Sequence, residues 1–173
     1  VAQQLMVIGH FEIRTYQVTD TEEVFSFGVY LAARIITTVL MIAGIIIFTL
    51  QSQGLSYEGV LYALIASLRL FDVVEDVFHG MFQQRGRLDI AGRAFFYRVL
   101  ATVAGFATGV LLTKNLLIAA VISFIASLVV MVALVIPPTK KMASLKPTFD
   151  FTQITKLLVT TAPLFAGSFL LTY

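Results

Sequence analysis

The 173 residues are 58% hydrophobic and only 13% charged, with a net charge of +2 and a mean hydropathy of +0.92. Soluble domains run at about 45–50% apolar and about 25% charged, so a water-soluble globule is excluded, and the small net charge gives no footing for nucleic acid. Without a single Cys, disulfides and thiolate metal sites are excluded too.

Residues 1–9 are apolar and too short to span a bilayer, and read as the tail of a helix. A polar stretch follows from His10 to Glu23, in which Thr19 with Glu22, or Asp20 with Glu23, has the spacing of a capping box before an apolar run. The first complete span is expected at about 24–50, uncharged from Ile35 onward. Gln51 to Gly54 reads as a turn, and Ser56 as the N-cap of a second span at about 57–82. Residues 83–93 form a basic loop before a third span at about 94–113. Lys114 and Asn115 make a tight turn into a fourth span at about 116–136, whose 21 uncharged residues match a hydrocarbon core of ~30 Å. Pro137-Pro138 is expected to stop it. A Lys-rich loop and a last helix from near Asp150, at about 151–173 and carrying Pro163, complete the chain. Val1 and Tyr173 both fall in apolar runs, so the chain reads as a fragment of a longer one.

Lys and Arg alternate sharply between the loops. The segments 10–23, 83–93 and 137–156 hold eight, whereas 51–56 has none and the Lys114 turn has one. The positive-inside rule puts the first set in the cytoplasm. The fold class expected is all-α, a polytopic transmembrane helix bundle forming one unit over residues 1–173.

Charges inside the spans carry the functional signal. Read as one continuous helix, the second span brings Glu58, Tyr62, Arg69, Asp72, Asp76, His79 and Gln83 into one sector, with Glu75 at its edge. Arg or Asp at a helix centre costs ~2.5–3.5 kcal/mol each, against ~0.3–0.6 gained per Leu, Ile, Phe or Val. That stripe cannot face lipid. Arg34 shares a face with Tyr30, Thr37, Thr38 and Met41, and Arg98 opens a face that continues as Ala101, Gly105 and Gly109, a small-residue track for close helix packing. Two readings stay open for the charges: arginines paired with Asp72, Glu75 and Asp76 to lock the bundle, or a polar cavity holding Arg34, Arg69, Asp72 and Asp76. Arg98 has a third, its head drawn out to the interface.

Asp72-x-x-Glu75-Asp76-x-x-His79 is similar to the aspartate-rich magnesium motifs of membrane prenyltransferases, but those clamp a diphosphate between two such motifs and this chain has one. The only other His is His10, and neither a glycine-rich phosphate loop nor a nucleophile–base pair is present. No catalytic role, metal or cofactor is therefore expected.

The run Gly9-His-Phe-Glu-Ile-Arg-Thr-Tyr-Gln-Val-Thr-Asp20, followed by Phe25, Tyr30 and Arg34, resembles the segment after the second helix of bacterial polysaccharide flippases, members of the multidrug/oligosaccharidyl-lipid/polysaccharide flippase superfamily. Asp72 to Arg93, followed by Arg98, resembles their fourth helix and its cytoplasmic link to the fifth, and Ala162-Pro163-Leu-Phe-x-Gly-Ser168 the start of their seventh. The resemblance implies a fragment of a V-shaped, two-lobed transporter in the cytoplasmic membrane. It also implies flipping of an undecaprenyl-diphosphate-linked oligosaccharide for polysaccharide or lipopolysaccharide biosynthesis, and leaves room for a coupling ion. Arg34, Arg69, Asp72, Asp76, His79 and Arg98 are then the candidate substrate-binding residues, since guanidinium meets phosphate oxygens bidentately. A cation-coupled multidrug or lipid-precursor exporter of the same superfamily and a membrane-embedded prenyl or glycan transferase are the alternatives.

Overall fold

A computed structural model describes residues 2–171; Val1, Thr172 and Tyr173, which the sequence assigns to the two terminal helices, lie outside the described residues. Every regular element among them is helical: α1 (Ala2–His10), α2 (Ile13–Thr19), α3 (Phe27–Ser52), α4 (Tyr57–Ser67), α5 (Arg69–Gln84), α6 (Leu88–Thr113), α7 (Leu116–Met142) and α8 (Phe151–Leu171). Four of these, α3, α6, α7 and α8, are long and apolar enough to cross a membrane. The chain is an all-α bundle of the polytopic membrane class.

Its surface is inside out relative to a soluble protein. Val103, Leu111, Leu112, Leu170 and many other large apolar side chains are exposed, whereas Arg34, Glu75, Asp76, His79 and Arg98 are buried. Lipid solvates the former, and only partner charges can hold the latter. The apolar core is centred where α3 and α5 meet, on Val29, Tyr30, Val77, Phe78, Met81 and Phe82, and is closed by Val135 of α7 and Leu157 of α8. α6 and α7 form the most extensive helix pair, with α6 otherwise largely uncovered.

Several boundaries depart from the sequence expectation. The second span is not one helix: α4 ends at Ser67 and α5 begins at Arg69. The Ser67 hydroxyl donates to the Leu64 carbonyl at 2.7 Å, the acceptor that the Leu68 amide would use in a continuous helix, and Leu68 N–H turns to Ile65 O instead. The seven-residue polar stripe drawn on one helix is thus divided between two. The polar stretch after His10 is not a loop either, since α2 occupies Ile13–Thr19. Between α1 and α2, Phe11 (φ 43°) and Glu12 (φ 51°) are both left-handed, a conformation costing ~1–2 kcal/mol per non-glycine residue.

The expected basic loop shrinks to Arg85–Arg87, because α5 runs on to Gln84 and α6 starts at Leu88. Pro137-Pro138 does not stop α7, which continues to Met142. Proline φ is helical, buried Val135 and Thr139 anchor the segment, and the Thr139 hydroxyl donates to Val135 O at 2.7 Å. Ser56 caps α4, accepting from Gly59 N–H at 3.0 Å.

The capping box before the first span does not form. Asp20 instead accepts from the Val24 and Phe25 amides at 2.9 and 3.1 Å and from the Tyr30 hydroxyl at 2.7 Å. Burial raises the pKa of this carboxyl, but the three hydrogen bonds outweigh it and hold the group below its usual value. A depressed pKa stabilises fully above the unfolded value of about 4 and loses that contribution as pH falls through the folded value. Asp20→Asn is therefore expected to lower stability in detergent at neutral pH by ~1–3 kcal/mol. Its melting temperature should also respond less than that of the parent chain to acidification below about pH 4. Parallel acid curves for the two proteins would remove this role from Asp20.

Candidate functional site

Two charge clusters are strung along α5. In the first, the Asp76 carboxylate gathers groups from three other helices. Arg34 of α3 donates from Nη2 to Oδ2 at 2.7 Å, His10 Nδ1 stands 3.2 Å from the same oxygen, and Arg14 of α2 lies 3.4 Å from Oδ1. Arg34 has two further acceptors. Its Nη1 donates to the Gly9 and His10 carbonyls at 2.6 and 2.9 Å, and Thr37 adds a bond to Gly9 O at 2.8 Å. These carbonyls end α1, where the left-handed pair at 11–12 takes away their helical donors. Arg34 therefore caps a helix end and neutralises a carboxylate at once.

In the second cluster, Arg98 of α6 donates through Nε to Glu75 Oε2 at 2.8 Å and through Nη2 to Asp72 Oδ1 at 2.5 Å. Its guanidinium thus turns inward onto α5 and does not reach out to the interface. Arg69 touches the other Asp72 oxygen at a long 3.4 Å and has a side chain that is 55% exposed. His79 Nε2 stands 3.8 Å from Glu75 Oε2 and, like Glu75 Oε1, is buried without a hydrogen-bond partner among the described residues.

An open cleft of about 610 Å³ runs between α1, α5 and α6, walled by Arg69, Asp72, Asp76, His79 and Arg98 together with His10, Arg14 and Glu75. A recess of about 480 Å³ continues from it past His10, Arg14 and Asp76 to Glu12 and Gln83. Five of the six sequence candidates thus share one cleft. Arg34 lines neither space and is 1% exposed; it stands behind Asp76.

Arginine–carboxylate pairs lock α1, α3, α5 and α6 together, as the first sequence reading has it; of the four residues the second reading put in a cavity, Arg69, Asp72 and Asp76 wall the cleft and Arg34, buried behind Asp76, does not. Arg14, in the sequence a loop charge and a member of the Gly9–Asp20 run, is not among the six candidates. Arg14 has a side chain that is 37% exposed, a long contact to Asp76, and a bond from Nη2 to Gln83 Oε1 at 3.1 Å. The available signal was the spacing of Ile13 and Gln17, the two fully buried residues that give the supposed loop a helical face around Arg14.

Arg34 and Arg98 are almost fully buried and donate to Asp76, Glu75, Asp72 and the Gly9 and His10 carbonyls, so the exposed guanidinium groups open to a ligand are those of Arg14 and Arg69. The carboxylates are already engaged by arginine, which leaves the cleft suited to an anion that takes over some of those contacts. No family model, curated protein or solved structure matches the chain. Its chemistry must be read from the cleft.

Proposed function

We propose that the chain belongs to a flippase-type transporter of the bacterial cytoplasmic membrane that moves an undecaprenyl-diphosphate-linked oligosaccharide, without catalysing a reaction on it. The observation that carries this reading is the cleft beside α5, in which Arg14 and Arg69 present half-free guanidinium groups and Arg98, Asp72 and Asp76 hold the walls. A diphosphate offers acceptors to two arginines at once and replaces their long 3.4 Å contacts with shorter charge-assisted bonds. Arg34 is assigned a positioning role, holding Asp76 and through it Arg14. The cytoplasmic ends are taken to be those rich in Lys and Arg, around Arg85–Arg93 and Lys140–Lys146. A cation exporter fits less well, because the carboxylates it would need are neutralised by arginine.

The test is export of surface glycan, measured beside membrane abundance, in cells that depend on the transporter. Arg14→Leu and Arg69→Leu each remove a partly exposed cation, and abundance is expected to stay near the parent level. Loss of a charge-assisted hydrogen bond of ~1.5–3 kcal/mol should cut export by about tenfold or more. Normal export by both variants at normal abundance would end the diphosphate reading. Unchanged glycan with a new sensitivity to cationic drugs would favour the exporter instead.

A further inference from the structure

A groove of about 350 Å³ lies between the start of α6 and the end of α7, lined by Ile90, Arg93, Ala94 and Tyr97 on one side and by Leu134 and Pro138 on the other. We propose that this groove binds the headgroup of an anionic glycerophospholipid, of the phosphatidylglycerol type, from the leaflet that meets this end of the bundle. The inference rests on the membrane fold alone and does not depend on what the transporter carries.

The groove is open, and beside it on α6 the side chains of Phe96, Leu100 and Val103 are exposed and apolar, a surface that lipid tails solvate. Its polar groups are free to bind. Arg93 spends Nη2 and Nε on Asp89, at 2.7 and 3.3 Å, and has no partner for Nη1 among the described residues. The Tyr97 hydroxyl is likewise unbonded among them, on a half-exposed ring one turn further along α6. Lys141 follows Leu134 and Pro138 at seven and three residues, which puts it on the same face of α7 one turn nearer the end. Arg87, Arg93 and Lys141 against Asp89 give this end an excess of cations, enough to attract a phosphate.

The far wall supplies the selectivity. A helical carbonyl finds its donor three or four residues on. For Leu134 those residues are Pro137 and Pro138, and neither has an N–H. The groove therefore offers a cationic donor and a phenol to a phosphate, and on its other wall a carbonyl without a helical N–H donor. Phosphatidylglycerol has both groups in one headgroup. Phosphatidylcholine has no donor for the carbonyl and would bring a second positive charge beside Arg93.

Native mass spectrometry of the purified chain in mild detergent can read the affinity directly, with palmitoyl-oleoyl phosphatidylglycerol and phosphatidylcholine as probes. Phosphatidylglycerol should bind at least fivefold more tightly. Arg93→Gln should cost about fivefold, the worth of one basic residue at an anionic lipid surface. Arg85→Gln, at the same end but paired with Glu23 at 3.3 Å, should change nothing. Pro138→Ala returns an N–H to the Leu134 carbonyl, and is expected to weaken phosphatidylglycerol binding about threefold while raising thermal stability, a combination that misfolding cannot produce. Soluble glycerol-1-phosphate in excess should not displace the lipid, because it lacks the acyl chains that the apolar face of α6 solvates. Equal affinity for the two lipids, equal losses in Arg93→Gln and Arg85→Gln, full binding by Pro138→Ala, or displacement by glycerol-1-phosphate would each overturn the proposal.

Discussion

Arg34→Leu is expected to strip folded protein from the membrane, with a loss of ~3–5 kcal/mol, because it leaves the Asp76 carboxylate buried without its closest cation. The damage extends beyond one ion pair. The buried Gly9 carbonyl and the part-buried His10 carbonyl, both bonded to Arg34 Nη1, lose that donor. The double variant Arg34→Leu/Asp76→Leu should therefore recover only part of the loss, since it removes the orphan charge but not the orphan carbonyls. Arg34→Lys keeps a charge yet has no planar fork to serve three acceptors, and should fall between the two. Membrane abundance by immunoblot and melting temperature in detergent measure the series. Arg69→Leu is the internal reference, because its side chain is exposed and its one carboxylate contact is long. If Arg34→Leu were as abundant as Arg69→Leu, the guanidinium would not be holding the α1–α3–α5 junction.

Gly109→Val is expected to be nearly as damaging, by separating α6 from α7. A Cβ built on Gly109 would stand 2.6 Å from Ala119 Cα and 2.9 Å from its Cβ, so it meets backbone that no rotamer change can move. Overpacking of this kind costs ~1–3 kcal/mol and more where the obstacle is rigid. Nearby, the pair is fastened by the hydroxyls of Thr102 and Ser127, 2.6 Å apart, and by Ser123 Oγ donating to Thr102 O at 3.1 Å; a spread at Gly109 would loosen both. The track is graded. Gly105 meets Ser123 Cα at 3.3 Å, so Gly105→Ala should be tolerated with a small shift. Gly92 meets nothing within 4 Å, so Gly92→Ala should be neutral or slightly stabilising. Thermal unfolding of the three variants gives the order, and a Gly109→Val protein as stable as Gly92→Ala would mean the two helices have slack at this end.

Most of the architecture was legible because a bilayer leaves few choices. Long apolar runs bounded by charge became α3, α6, α7 and α8, and the Lys114–Asn115 turn fell where the runs parted. What could not be read depends on partners distant in sequence. Phe11 and Glu12 carry no glycine signature, and their left-handed backbone is held by contacts made more than 100 residues later. The acceptors of Arg34 are mostly carbonyls, which leave no mark in a sequence. Pro137-Pro138 reads as a stop by propensity and is overridden by packing around Val135 and Thr139. Ser67 did carry a warning, since a serine inside an apolar helix can bond back to its own carbonyls.

The joint between α1 and α2 also bears on the order in which the protein is assembled. Phe11 stacks on Phe165 with ring centroids 4.4 Å apart, and Ser168 donates to Glu12 at 2.7 Å, a contact spanning 156 residues. Both partners sit in α8, more than 150 residues further along the chain and so made later by the ribosome. At about 5–20 residues per second, roughly ten to thirty seconds separate synthesis of the joint from synthesis of the side chains that hold it. During that interval the left-handed pair has only its nearer contacts, the Thr15–Glu12 bond and the Arg34 bonds to the carbonyls just before it, so α1 and α2 wait in an unfinished geometry. The joint is thus completed only once α8 has been made, and anything that shields it in the meantime acts on the yield of protein before it acts on function.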